Sequence, residues 1–363
     1  MPQRVFISAC NSKCPGASTL DDFYSILEKG DASFLLPVPV DSETLLLGTK
    51  IKPTASTEFS PSKSNEKVMR TEVIGATECV CEMLKSAELP ESIIPDIPLY
   101  ISSGVCFERQ VNDMDWFSKA LYASLSSKTN EEKNKKIYHA IPPLLALRTL
   151  TNSAESFVAQ HSKLAGNNTT FGITSQSAYF ALKEGYDAVH LGEYDMAVAG
   201  GANGGGISSY FMFKNFMPAD SVWKESTCAS FLLLESEESV KKRRINPLCE
   251  ITGFKFSGDV PDLANNKNIV PFIHFTEYGK DAEVCILGSS FRESEYLDEK
   301  KCAESIWKEV YSLYPLFGGC GSAGVFMSIA VAIYFFKKNG HRFIDCAERD
   351  VFKRESLVRL KNA

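Results

Sequence analysis

The sequence predicts an internally duplicated α/β protein of layered architecture. Strand-like runs alternate with helical ones along the whole chain. Each half carries a tight turn feeding an apolar helix, "FGITSQSAYFAL" (171–182) in the first and "FGGCGSAGVFMSIA" (317–330) in the second. Ala178, Ala181, Leu182, Gly185, Ala188 and Val189 of the first helix recur at helical spacing and are mostly small. Small residues let other backbones approach closely, so this helix is expected between two layers rather than on a surface.

"RVFISAC" (4–10) reads as an opening strand, and "LDDFYSILEKG" (20–30) as an amphipathic helix ended by glycine. Residues 48–66, rich in Ser, Thr, Pro and Lys, read as a long surface loop. "EVIGATECVCEMLKSAEL" (72–89) has helical apolar spacing, and "IPLYISSG" (97–104) is a strand of the buried type. "SSKTNEEKNKKI" (126–137) is a polar insertion or helix edge, and residues 143–166 are read as helical. Strand "NTTFGIT", helix "SQSAYFALKEGYDAVHLG" and strand "DMAVAGGAN" follow. In the second half "LCEITGFKFSG" and "DAEVCILGSS" are read as strands and "DEKKCAESIWKEVYSLY" (298–314) as one helix. "RFIDC" and "ESLVRLK" are the closing strands.

The chain has 363 residues, 44% hydrophobic and 23% charged, with a net charge of -6. It is long enough for a substantial core. A negative balance without a basic stripe argues against nucleic acid as a partner. The basic run Lys241-Lys242-Arg243-Arg244 follows three glutamates and reads as a solvated helix end, with a docking patch for an acidic partner as the alternative. The eleven cysteines are scattered, and the one close pair, Cys79 and Cys81, has no second pair to complete a zinc site, so no metal is expected. The N-terminus lacks a secretory pattern and the longest apolar run, 325–336, is short for a membrane span. A cytoplasmic protein with reduced thiols and no membrane partner is expected.

Taken in order, the motifs resemble the β-ketoacyl synthases of the thiolase fold. Without gaps, "AGNNTTFGITSQSAYFAL" lies along that family's nucleophile segment and "YDMAVAGGAN" along its following strand. "FLLLESEESVKKRRINPLCEITGF" matches the family's midpoint, and "GCGSAGVFMSIA" its gly-ala-ala-gly helix start. The resemblance spans nearly the whole chain. It implies a thiolase-like fold of two duplicated βαβαβαββ halves, residues 1–245 and 246–363, in a layered αβαβα arrangement.

The departures from the family carry the functional expectation. Ser175 stands where the resemblance places a nucleophilic cysteine, Leu287 where it places one catalytic histidine and Gly318 where it places the other. A cysteine near a helix N-terminus gives a thiolate near pH 7, whereas a serine hydroxyl needs a general base. The stretch 217–230 is also much shorter than the family's closing loop. These changes together imply no catalytic residues and no condensing activity alone. They match one subgroup, the chain-length factor or β-subunit of type II polyketide synthases. That subgroup pairs with an active ketosynthase and bounds its acyl tunnel, while acyl carrier protein delivers units on a phosphopantetheine arm. No other cofactor is implied. Carried over residue by residue, the tunnel-depth positions are Phe107, Gln110 and Met114, spaced so that one helical face could present all three. The strand "DMAVAGGAN" and the segment around Phe107 are the expected interface.

Other readings remain open from sequence. Ser175 could serve a serine-dependent acyltransferase or hydrolase, with a base drawn from His139, His161, His190, His274 or His341. His274 is the best of these because Glu277 is near in sequence, although a histidine among Phe272, Ile273 and Phe275 also reads as a packed strand residue. "GITSQ" lacks the second glycine of a nucleophile elbow. Thr174, Ser175 and Ser177 could equally cap the helix. "GGANGGG" (200–206) reads as a phosphate cradle or, better, as close backbone packing. A free-standing homodimer is the last alternative.

Overall fold

A computed structural model describes residues 2–30, 36–39, 45–49, 62–104, 115–141, 144, 147, 150–205, 222–258, 271–288 and 291–363. Its frame is one sheet of ten strands built from two copies of a five-strand pattern. The first copy runs β5 (Thr169–Gly172), β4 (Leu99–Ser103), β6 (Met196–Asn203), β8 (Cys228–Ser236), β1 (Val5–Lys13). The second runs β11 (Glu309–Ser312), β10 (Val284–Leu287), β12 (Phe343–Arg349), β13 (Glu355–Asn362), β9 (Cys249–Ser257). In both copies the first three strands are parallel to one another and the last two pair antiparallel. The copies join where Val5, Phe6 and Ile7 of β1 face Ile251, Glu250 and Cys249 of β9. Strands β2 (Leu36–Pro39), β3 (Leu45–Thr49) and β7 (Val222–Ser226) form a small separate sheet.

Three apolar cores separate the layers. Helices α2 (Thr71–Ser86) and α5 (Ser153–Ser162) cover the outside of the first half through Val73, Val80, Met83 and Val158. Buried Lys13 on β1 reaches Glu82 at 2.9 Å and Glu78 at 3.4 Å, which ties α2 to the sheet with its charges compensated. The outer core of the second half gathers Phe272, Phe275, Leu287, Trp307 and Leu357. Between the halves lie α6 (Gln176–His190) and α9 (Gly324–Asn339), sharing one core with residues of both copies. This is the five-layered, duplicated arrangement that the resemblance implies. The 19 residues Gly321–Asn339 are long and apolar enough to cross a membrane, but 78% of that stretch is buried inside the protein. Its apolar character is therefore explained by its place between the two halves.

Local chemistry accounts for the ends of the elements. Helix α1 (Leu20–Lys29) starts in a capping box, with Thr19 Oγ1 accepting from the Asp22 N–H and Asp22 accepting from the Thr19 N–H, both at 3.1 Å. It stops at Gly30, whose φ of +64° suits a residue without Cβ. Residues 126–137 split between α3 (Asp115–Ser126) and α4 (Asn130–Ala140), the second capped by Thr129.

Several elements differ from the sequence reading. The stretch 298–314 is not one helix: α8 (Glu293–Ala303) ends there, and Glu309–Ser312 forms the edge strand β11 beside β10. Val310 and Tyr311 suit a strand, and parallel pairing outweighs the helical spacing of the preceding residues. The helix read over 143–166 is interrupted at residues 150–152 and resumes as Ser153–Ser162. Between β9 and β10 the described residues hold two 3₁₀ turns, Ile273–Phe275 and Tyr278–Lys280, where the first half has α2. The strand "DMAVAGGAN" cannot be an interface. As β6 it is wholly buried between β4 and β8.

The glycines of β6 explain its position. A Cβ at Gly200 would sit 1.9 Å from the Phe231 ring, and one at Gly201 would sit 2.0 Å from the Ser322 carbonyl oxygen. "GGAN" is thus a packing signal. Gly201→Ala should lower the urea-unfolding free energy by about 1–3 kcal/mol, because backbone rather than a flexible side chain must move. A loss of only a few tenths would contradict this account of the approach.

Candidate functional site

In an open α/β sheet the crevice lies beyond the carboxyl ends of the parallel strands. In the first half these are the ends of β4 and β6 together with the turn from β5 into α6. Ile173 sits in that turn with φ +94°, an outlier for a β-branched residue, and its N–H donates to the Ser103 carbonyl at 3.3 Å. Ser175 follows at the first position of the α6 turn.

Ser175 is 4% exposed, and its Oγ is buried without a hydrogen-bond partner. It does not cap the helix, in contrast to the sequence expectation. Capping needs an extended backbone at that residue, and Ser175 is already helical at φ −60°, ψ −27°. Ser177 Oγ is engaged with the Thr174 carbonyl and with Ser102 Oγ, both at 2.5 Å. Thr174 Oγ1 accepts from Arg354 NH2 at 3.0 Å, and Gln176 Nε2 donates to the Arg354 carbonyl at 3.1 Å. Arg354 belongs to the β12–β13 hairpin turn, where Asp350 accepts from Arg354 Nε at 2.8 Å and from the N–H groups of Phe352 and Arg354. The turn that starts α6 is therefore tied to a hairpin about 180 residues away in sequence.

No histidine hydrogen-bonds to Ser175. His190 Nδ1 lies 2.6 Å from the Gln3 carbonyl at the far end of α6. His341 approaches Asn339, and His139 is edge-on to Tyr138. His161 lies on α5, where burial lowers its pKa. His274 is neither a packed strand residue nor paired with Glu277: it is exposed on a 3₁₀ turn.

Leu287 ends β10 and points into the outer core of the second half. Gly318 follows the single helical turn Tyr314–Phe317 and adopts φ +68°, ψ −160°, a conformation close to glycine-only. A Cβ there would lie 2.6 Å from the Lys224 carbonyl. Strand β7 occupies this space: Gly319 N–H donates to Lys224 O at 2.8 Å and Ser226 N–H to Gly319 O at 3.1 Å. No side chain can project from position 318 into a site. Phe107, Gln110 and Met114 lie outside the described residues.

The two halves carry related polar positions that the sequence reading missed. Asn203 ends β6 beside Gly104 and donates to Glu225 Oε1 at 3.1 Å and to the Ser226 carbonyl at 2.9 Å. Glu348 stands at the equivalent place on β12 beside Gly288. A Cβ at Gly288 would meet Glu348 Oε1 at 2.5 Å, and one at Gly324 would meet it at 1.9 Å. Neither Glu348 oxygen has a hydrogen-bond partner. Burial pushes this carboxyl well above the usual carboxylate range, and Cys320, Glu299 and Asp350 add to the shift. The glycines at 288 and 324 were the available sequence signal, but their meaning depends on a residue from another strand. Among the described residues no group of three His, Cys, Asp or Glu could hold a metal ion.

The family described as beta-ketoacyl synthase, N-terminal domain, matches residues 3–231, well over half the chain. No curated protein matches the sequence. Among solved structures, a β-ketoacyl synthase from Burkholderia phymatum STM815 superposes with TM-score 0.76 at 13% identity, covering 99% of this chain and 100% of that one. The ishigamide ketosynthase/chain length factor superposes with TM-score 0.75 at 14% identity over 100% of both chains. A type II PKS acyl-carrier protein in complex with its ketosynthase bound to the hexaketide gives TM-score 0.72 at 12% identity, again over 100% of both. At these identities the likeness establishes the thiolase-like ketosynthase fold.

The Glu348 geometry predicts a pH signature. A carboxyl raised above its ordinary 4.5 is protonated in both states at low pH. Above that value it ionises only when unfolded, so its presence lowers stability as pH rises. Glu348→Gln should leave Tm near wild type at about pH 4 and raise it increasingly toward about pH 8. Parallel Tm–pH curves for the two proteins would contradict a buried neutral acid.

Proposed function

The chain belongs to the β-ketoacyl synthase family, and from that premise we propose that it is a non-catalytic, chain-length-factor-like subunit. It pairs with an active ketosynthase and bounds the acyl tunnel while polyketide chains grow on acyl carrier protein. The single observation that carries this reading is Ser175 Oγ, buried at the nucleophile turn with no base within hydrogen-bond reach. Serine attacks only when a base removes its proton, and none of the described residues is placed to do so. The shape of Gly318 supports the same reading, since that position has no room for a polarising side chain. The partner would hold the thioester-forming cysteine, and the carrier's phosphopantetheine arm would bring each unit to it in the cytoplasm. The structural relatives include a ketosynthase/chain length factor and a ketosynthase in complex with its type II PKS acyl-carrier protein.

The partner surface is proposed at the open edge of the sheet. Strand β5 pairs with β4 on one side only, and its ends are exposed. Ile173 beyond it and Phe180 on α6 are exposed apolar residues. Leu144, Leu147 and Leu150 are exposed too, and Thr151 lies 3.9 Å from the Cβ position of Gly172, which makes this patch continuous with the edge. An unpaired edge with apolar flanks is a site for strand pairing with another chain. Phe107, Gln110 and Met114 are proposed as tunnel-bounding residues.

Because the Ile173 N–H faces β4, alternation points the Thr170 N–H outward. Thr170→Pro and Ile173→Asp should therefore abolish complex formation with a co-expressed cysteine-bearing ketosynthase, read by size-exclusion chromatography with light scattering. Retention of the complex by both variants would remove this edge from the interface. Mass spectrometry of carrier-bound products from the wild-type pair should show extended polyketides, with lengths altered by Phe107→Ala and Met114→Ala. Labelling of Ser175 by a fluorophosphonate in the isolated chain would overturn the non-catalytic reading.

A further inference from the structure

Arg292 combines deep burial with the absence of a counter-ion among the described residues. The residue is 3% exposed, and its Nε and NH1 are buried with no hydrogen-bond partner. A guanidinium cannot shed its proton at any ordinary pH, so it cannot relieve burial by becoming neutral. An unpaired charge in such a place is strongly unfavourable until an anion joins it.

The surroundings have the character of a binding wall. The guanidinium carbon lies 5.8 Å from the centroid of the Trp223 ring, which is stacked on Phe291 at 4.8 Å and 19°. A ring face offers a cation partial compensation but no charge to neutralise it. The nearby carboxylate is committed elsewhere, for Glu225 Oε2 accepts from Trp223 Nε1 at 3.1 Å and Oε1 accepts from Asn203. Arg292 also precedes α8 with an extended backbone, φ −133° and ψ 150°, and makes no side-chain cap. The first-turn N–H groups of that eleven-residue helix favour an anion, while Glu293 and Glu295 of the same turn oppose one, the charge of Glu295 being met by Lys353 at 2.8 Å. Phe291 leans on Gly319, where a Cβ would meet its ring at 2.3 Å, so this wall adjoins the 318–319 segment.

We propose that Arg292 is the centre of an anion-binding site that takes the oxygens of a small carboxylate or phosphate, held in bidentate fashion over the Trp223–Phe291 stack. The planar fork of a guanidinium matches two oxygens of either group. The site stands on the burial of Arg292 and does not depend on the pairing with a ketosynthase.

The test titrates the purified chain with malonate and, separately, with inorganic phosphate, against sodium chloride at matched ionic strength. Tryptophan fluorescence and Tm are read together. At least one oxyanion should give a saturable response that chloride does not, and Trp223→Phe should remove the fluorescence change while leaving the Tm shift. Arg292→Gln should weaken binding about 10- to 100-fold, and Arg292→Lys, which keeps the charge without the fork, should fall between. A response to malonate alone assigns a carboxylate ligand, and one to phosphate alone a phosphate-bearing one. Absence of a saturable response in the wild type, or binding by Arg292→Gln equal to wild type, overturns the proposal. So does a response that persists unchanged in both readouts in Trp223→Phe. Should Arg292→Gln fail to fold, the wild-type and Trp223→Phe titrations decide alone.

Discussion

The close approach of β6 to the turn that starts α9 organises the molecule. Gly201 lies against the Ser322 carbonyl, Gly200 under the Phe231 ring, and Gly185 of α6 within 3.2–3.3 Å, at its Cβ position, of Ala199, Leu234 and Tyr100. Each contact excludes a side chain, and together they let two helices share one core between the halves. Interiors at this density do not deform continuously, so the segments at the edge of the middle layer inherit their positions from it. The 318–323 segment, the carboxyl ends of β4 and β6 and the start of α6 meet for that reason.

What assembles there is a polar crevice whose groups are constrained in different physical ways. Ser175 keeps a hydroxyl but has no base. Gly318 has neither the backbone conformation nor the room for a side chain, because β7 has taken the space. Glu348 keeps a carboxyl whose pKa burial raises well above the usual carboxylate range. The Asp350–Arg354 hairpin fastens the turn by way of Thr174 and Gln176. A scaffold can be retained through packing after its reactive groups are gone, since the glycines that permit the approach do not depend on the chemistry.

The β5 edge and Arg292 are unmatched in different ways. The β5 edge leaves backbone groups and apolar side chains unmatched over an extended line, which is the demand of another polypeptide. Arg292 leaves one charge unmatched at one point, which is the demand of a small anion. Neither requires the other.

The sequence by itself determined the elements whose signal is local. The periodicities of β1, α2, β4, α6, β12 and β13, the small-residue face of α6 and the duplicated turn-then-helix pattern were all readable, and they carry the layered fold. That residue 175 is a serine at the start of α6 was readable too. It did not reveal that "EVYS" forms a strand, because the pairing of β11 with β10 outweighs the helical spacing that precedes it. It placed β6 at a surface because nothing in "DMAVAGGAN" says which strands flank it. It left His274 as a possible base, and it gave no hint that Arg354 reaches Thr174 or that Glu348 fills the space above Gly288 and Gly324. Those facts join residues far apart in the chain, where burial and counter-charge depend on which segments fold against each other, and only the tertiary structure decides that.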